Sequence, residues 1–277
     1  MHRTLKIAPL VALLALPLIL AGCGKDQARS PVAPSMQSVT AANPRAAQPG
    51  GMGGGARGAS RVLFVHASPD APAVDISVGK RSVARGLAFP NNTPYRYLRA
   101  GSRDVRVNVA GTTTTVIAAT VPFQARTSYS VFAVNTMAHI EPLLLTDDLT
   151  PPAAGRAHVR FVHLSPNAPA VDVAVAGGGP VVFGNKTFKD YTPFTPLPAG
   201  TYDLEVRLAG TSTVVLPLPG IKLEAGKIYT VFARGLVGGT GPQALGAQII
   251  VNSDLLGNER RGQDDENGDG DENRGGR

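Results

Sequence analysis

Two histidines occupy matching places in the chain, and each is followed at fixed intervals by polar side chains able to do chemistry. His66 precedes Ser68, Asp70 and Asp75; His163 precedes Ser165, Asn167 and Asp172. An imidazole near carboxylates could hold a metal ion or move a proton. A metal site wants three or four ligands, however, and only one histidine per copy is in view. Val62, Phe64 and His66 share one strand parity, which turns the imidazole inward to donate to a backbone carbonyl near the Ser-Pro turn. On that reading Ser68 and Asp70 cap turn amides, and no metal or other cofactor is expected.

Other chemistry is poorly supported. There is no Gly-x-Ser-x-Gly elbow and no acidic pair set apart by environment. Asn91-Asn92-Thr93 and Asn185-Lys186-Thr187 match a glycosylation sequon but read as turns. Asp265-Glu266-Asn267-Gly268-Asp269-Gly270 opens like a calcium loop, but Gly276 stands where the bidentate glutamate belongs. Residues 256–277 therefore read as a disordered, polar, acidic tail.

The remaining reactive group is Cys23, the single cysteine, so no intramolecular disulfide is expected. It ends an N-terminal segment ordered as a secretory signal: Arg3 and Lys6, an uncharged apolar run over residues 7–20, then Leu20-Ala21-Gly22-Cys23. The run is short for a membrane span. Leu20-Ala21-Gly22-Cys23 resembles the lipobox of bacterial lipoproteins, which implies a signal peptide at 1–22 and a lipid on Cys23. Gly24 lacks the aspartate that in such lipoproteins signals inner-membrane retention. The resemblance thus implies an extracytoplasmic, lipid-anchored protein, on the outer membrane if there are two and otherwise on the outer face of the cytoplasmic membrane.

After Cys23, residues 23–60 are rich in Ala, Pro, Gln, Ser and Gly and carry no periodicity to bury. About 36 residues of such coil span roughly 30 to 36 Å, enough to lift a folded part clear of head groups. The formal charge of +7 falls to about +5 once Arg3 and Lys6 leave, too dilute for nucleic acid as a partner. Basic residues lean toward the first half, among them Arg81, Arg85, Arg99, Arg103 and Arg106, where they solubilise strand faces or meet anionic polymers.

The chain repeats itself. Phe64-Val65-His66-Ala67-Ser68-Pro69-Asp70-Ala71-Pro72-Ala73-Val74-Asp75 recurs as Phe161-Val162-His163-Leu164-Ser165-Pro166-Asn167-Ala168-Pro169-Ala170-Val171-Asp172. Ala-Gly-Thr then recurs at 110–112 and 209–211, and Tyr129-Ser130-Val131-Phe132-Ala133 returns as Tyr229-Thr230-Val231-Phe232-Ala233. Two domains follow, at 61–149 and 156–255, joined by a short linker at 150–155 that makes them neighbours.

Strands must position these residues. Val105, Val107 and Val109 alternate with Asp104, Arg106 and Asn108, as Leu204, Val206 and Leu208 do with Asp203, Glu205 and Arg207. Further strands are predicted at 62–66, 74–78, 116–121, 128–134 and 140–145, with matches in the second copy. Aliphatic cores, sparse aromatics and frequent turn residues predict an all-β fold: two tandem antiparallel immunoglobulin-like sandwiches of about seven strands each. Leu223-Glu224-Ala225-Gly226-Lys227-Ile228-Tyr229 resembles the tyrosine corner of such sandwiches, which implies that the Tyr229 hydroxyl bonds back across the turn. The first copy keeps Tyr129 but has Arg126 in place of the glycine.

The paired Phe-Val-His segments, with Pro198-Ala199-Gly200-Thr201-Tyr202-Asp203-Leu204-Glu205-Val206 and Ala225-Gly226-Lys227-Ile228-Tyr229, resemble the bacterial domain-of-unknown-function 4397 family. The first copy departs at Arg99-Ala100-Gly101-Ser102-Arg103. The resemblance implies β-sandwich modules of exported proteins and brings no catalytic set. Duplicated domains sharing every conspicuous residue point to a non-catalytic binding or adhesion module of the cell envelope, its ligand an envelope protein or polysaccharide. The alternatives are an assembly component that pairs through sheet edges and a metal-binding or glycan-processing accessory protein.

Overall fold

The computed structural model describes residues 58–256. The segment read as a signal peptide, Cys23, nearly all of the expected spacer and nearly all of the expected tail lie outside them. Eight strands form from each copy. In the first they are β1 (Ala59–His66), β2 (Val74–Val78), β3 (Arg81–Leu87), β4 (Arg96–Arg99), β5 (Gly101–Val109), β6 (Thr115–Phe123), β7 (Ser128–Val134) and β8 (Glu141–Asp147). In the second they are β9 (Arg156–His163), β10 (Val171–Val175), β11 (Val181–Lys186), β12 (Thr195–Pro198), β13 (Gly200–Leu208), β14 (Val214–Leu223), β15 (Ile228–Arg234) and β16 (Gly246–Val251).

These build four four-stranded sheets, ordered β3-β2-β5-β6 and β4-β1-β7-β8 in the first copy and β12-β9-β15-β16 and β11-β10-β13-β14 in the second. The fold is all-β, two sandwiches in tandem. Pairing is antiparallel except for β1 with β7 and β9 with β15, which run parallel. The connection from β1 to β7 passes through the whole opposite sheet, which frees those two strands from hairpin geometry.

Each copy adds two edge strands, β3 and β4 or β11 and β12, to the six that the sequence places. β3 and β11 break alternation at a bulge, where Gly86 and Asn185 take positive φ (60° and 50°). β4 and β12 are only four residues long, and β12 contains Pro196 and Pro198.

Each sandwich closes on an aliphatic core. In the first, Val62, Phe64, Tyr129 and Val131 of one sheet meet Val74, Ile76, Val105, Val107 and Phe123 of the other. In the second, Val159, Phe161 and Tyr229 meet Val171, Val173, Val206 and Leu223. A third core joins the two sandwiches. Leu63, Val65, Phe132 and Leu145 pack against Val162, Phe232 and Ile250, so the sheets holding β1 and β9 are covered on both faces. The sequence shows why: β1 reads Val62-Leu63-Phe64-Val65, apolar at both parities, as suits a strand buried on both sides.

Candidate functional site

The repeated polar residues serve the same structural purposes in both copies. His66 is fully buried, and its Nε2 donates to the Pro72 carbonyl at 2.9 Å; His163 does the same to Pro169 at 3.3 Å. Burial holds both imidazoles below their ordinary pKa, against the raising effect of the carbonyl bond. Asp75 alternates with the core residues Val74 and Ile76, so it faces away from the layer that holds His66. Its carboxylate accepts the amides of Gly86 at 2.7 Å and Gly111 at 3.0 Å. Asp172 accepts those of Asn185 at 2.6 Å and Gly210 at 2.8 Å. These backbone bonds hold both carboxyls below the usual carboxylate range. The histidine and this aspartate thus lie on opposite sides of a sheet and form no common constellation.

Asp70 caps an amide, but not in its own turn: Oδ1 accepts from Met137, in the β7–β8 connection, at 2.7 Å. Asn167 pairs doubly with Val237 in the matching connection, accepting its amide at 2.9 Å and donating to its carbonyl at 3.0 Å. Ser165 donates to Gly235 at 2.8 Å. Ser68 corrects the capping expectation, because its hydroxyl is buried with no hydrogen-bond partner. The Tyr129 and Tyr229 hydroxyls accept the amides of Gln124 and Glu224 at 3.1 and 3.0 Å, each locking a corner five residues wide. Where Tyr202 reaches back to Pro198 at 2.7 Å, Arg103 reaches back to Arg99 and Ala100 at 2.9 and 2.7 Å, so a guanidinium replaces the phenol at that turn. Among the described residues no three His, Cys, Asp or Glu side chains gather as metal ligands would.

Three features escaped the sequence reading. Thr93 and Thr192 are buried and accept the amides of Phe64 and Phe161, each at 3.0 Å. Their offsets from the repeated motif differ by two residues, 29 from Phe64 against 31 from Phe161, which hid the match in the sequence. Between the sandwiches, Arg160 is buried against Asp147 at 2.7 Å and donates to Ser130 and Thr230, each at 2.9 Å. Tyr95 donates to Asp147 at 2.6 Å and accepts from Asn252 at 2.9 Å. Burial and the neighbouring carboxylate push the Tyr95 phenol far above its usual pKa.

The third feature is open to solvent. At the loop end of the second sandwich, a cleft of about 340 Å³ opens between its two sheets, lined by His163, Pro169, Val206, Leu216, Val237 and Leu245 among others. Its lining is almost entirely apolar and contains no acidic or basic side chain besides the neutral histidine. At the mouth Val215 is 36% exposed and Val237 48%. The long β15–β16 connection forms one wall. It spans eleven residues, 235–245, where the first copy uses six, 135–140.

Among solved structures the chain is similar to CBMbc (family CBM26) from Eubacterium rectale Amy13K, crystallised in complex with maltoheptaose. Identity is 8%, coverage 70% of this chain and 96% of that one, and the TM-score 0.22, too low to carry an argument about either protein's ligand. No curated protein matches the chain. The family described as Domain of unknown function (DUF4397) matches residues 60–174, a stretch running from β1 into β10 and so holding both copies of the Phe-Val-His motif.

Proposed function

We propose that the chain is a membrane-anchored extracytoplasmic lipoprotein whose paired sandwiches act as a non-catalytic binding or adhesion module of the cell envelope. The observation that carries this reading is the commitment of the duplicated polar residues. Both histidines, Asp75, Asp172, Asp70, Asn167 and both corner tyrosines are engaged by backbone groups that hold turns and edges in place. Side chains so occupied position the scaffold rather than act on a substrate, and scaffolds of this kind bind through what they expose. The anchor rests on Leu20-Ala21-Gly22-Cys23 and the apolar run before it.

Assembly through strand addition is less favoured. Of the eight edge strands, four, β6, β8, β12 and β14, carry Pro122, Pro142, Pro196, Pro198, Pro217 and Pro219, which leave fewer edge amides for an added strand.

Two measurements test the proposal. Metabolic labelling with a radioactive fatty acid labels the wild type and not Cys23→Ser; label on both, or on neither, rejects the anchor. Residues 23–277 carrying Cys23→Ser, immobilised and exposed to detergent-solubilised envelope or to purified wall polysaccharide, retain one of them saturably. Retention of neither argues against a binding module.

A further inference from the structure

The two copies share their structural residues, so a property belonging to one copy alone is where a specific function is to be sought. The second sandwich has one: the lengthened β15–β16 connection, which forms a wall of the cleft. This connection is a built element. Leu236 donates to Gln243 at 2.8 Å, Gly239 to Leu236 at 3.0 Å, and Ala244 to Gly241 at 3.1 Å, folding the eleven residues back on themselves. A Cβ added at Gly235 would land on the Ala244 carbonyl, and one at Gly239 on the Gln243 carbonyl, so the fold of the loop requires glycine at both. Asn167 clamps it through Val237.

The loop contributes Val237 and Leu245 to the cleft, whose other wall is the interior of the sandwich itself. Core faces that meet and bury each other elsewhere are here held apart by about 340 Å³, at the lower end of the ~300 to 1,000 Å³ typical of small-molecule sites. A cleft lined this way is poorly hydrated, which favours an apolar occupant. With no charged lining residue, it offers an ionic ligand nothing to replace its lost hydration. His163 supplies no polar contact to an occupant: it is fully buried, donates from Nε2 to Pro169, and its unpaired Nδ1 is itself shielded from solvent. His66 shares that unpaired nitrogen, but Phe89 lies edge-on against its ring, with centroids 6.3 Å apart. Phe188, the counterpart of Phe89, packs on the core between the sandwiches.

We propose that this cleft is a binding site for a small, uncharged, mainly apolar molecule. The inference deepens the reading of the chain as a binding module and rests on it. The probe is N-phenyl-1-naphthylamine, an uncharged fluorophore of two aromatic groups and one N–H. It is titrated against residues 23–277 with Cys23→Ser, which retain every described residue. The expected result is a saturable, one-to-one rise in fluorescence, with a negative heat-capacity change by calorimetry. Val215→Trp, which fills the mouth, and Val237→Arg, which places a charge there, each weaken binding at least tenfold. Thr115→Trp, near the corresponding end of the first sandwich, leaves it unchanged. Val237 is half exposed, so its variant decides the matter should Val215→Trp fail to fold.

No saturable signal, or equal binding by folded Val215→Trp and Val237→Arg, overturns the proposal. So does probe binding that is absent while Val215→Trp abolishes capture of an envelope protein, which would make the cleft a protein-docking site. Probe binding at the cleft with no envelope component retained would leave this site standing and reject the envelope-binding reading instead.

Discussion

Arg126 shows how a single residue can carry a fold at a cost. It occupies the corner position filled by Gly226 in the second copy and adopts the same left-handed backbone, φ 64° against 79°. The corner needs that turn so that the Tyr129 hydroxyl can meet the Gln124 amide. A non-glycine residue there costs roughly 1 to 2 kcal/mol, partly offset by the lower entropy of its unfolded chain. Arg126→Gly should therefore stabilise the protein by about 0.5 to 1 kcal/mol, and Gly226→Ala should destabilise it by about 1 kcal/mol, both read from urea midpoints. Space is not the cause, since a Cβ at Gly226 meets nothing within 4 Å. The histidines set a pH dependence of known sign. Burial lowers both pKa values in the folded state, so between that lowered value and about 6.5 the unfolded chain binds more protons, and stability falls as pH falls through this window. Asp75 and Asp172, also depressed, add a second loss below about pH 4. In His66→Gln/His163→Gln, the slope of midpoint against pH should flatten between 5 and 7 while the acid limb persists; an unchanged slope would mean other groups set it.

At the level of elements, Asp75 and Asp172 explain what the sequence left obscure. Strands with clean alternation, such as β2 and β5, were legible because one parity is apolar throughout. β3 was not, because Arg81-Ser82-Val83-Ala84-Arg85-Gly86-Leu87 bulges at Gly86 and its apolar residues fall out of phase. A carboxylate on the neighbouring strand holds the bulge by accepting its amide, and its second oxygen holds the Ala-Gly-Thr turn between β5 and β6. The repeated aspartate and the repeated Ala-Gly-Thr were both visible in the sequence, but their partnership spans 36 residues and needs the sheet to bring them together. Asp75→Ala should release both ends. Amide exchange at Gly86 and Gly111 should quicken by at least about tenfold, while the β1–β7 ladder of the opposite sheet keeps its protection. Equal loss across both sheets would show instead that the aspartate governs the whole sandwich. The candidate cleft was illegible for a similar reason: Val237 and Leu245 look like ordinary loop residues until the loop is seen to stand beside an open sheet end.

The two sandwiches together behave as an internal dimer. Phe132 and Phe232, matched in the repeat, touch each other edge-on with centroids 6.0 Å apart, as residues beside a two-fold axis do. Around that axis the matched pairs differ in a complementary way: Leu63 with Arg160, Tyr95 with Phe194, Ser130 with Thr230, and Asp147 with Asn252. Arg160 crosses to Asp147 and lies 4.6 Å from the Phe194 ring centroid; Asn252 crosses to Tyr95. A fully apolar dyad would let first copies of different chains pair with one another, whereas this one would bury two aspartates in such a pair and two arginines in the reverse. The charge pair thus specifies pairing within the chain more than it stabilises it. Removing one member leaves a buried charge uncompensated, so Arg160→Leu should cost about 3 kcal/mol or more. Arg160→Leu with Asp147→Asn makes both positions equal to their counterparts, removes the charge, and should recover to within about 1 kcal/mol of the wild type. The same double variant should begin to form chain dimers at high concentration, measured by light scattering, because no buried charge then distinguishes one copy's sheet from the other's. Recovery without dimers would place specificity in the short 150–155 connection, through effective concentration, rather than in the buried pair.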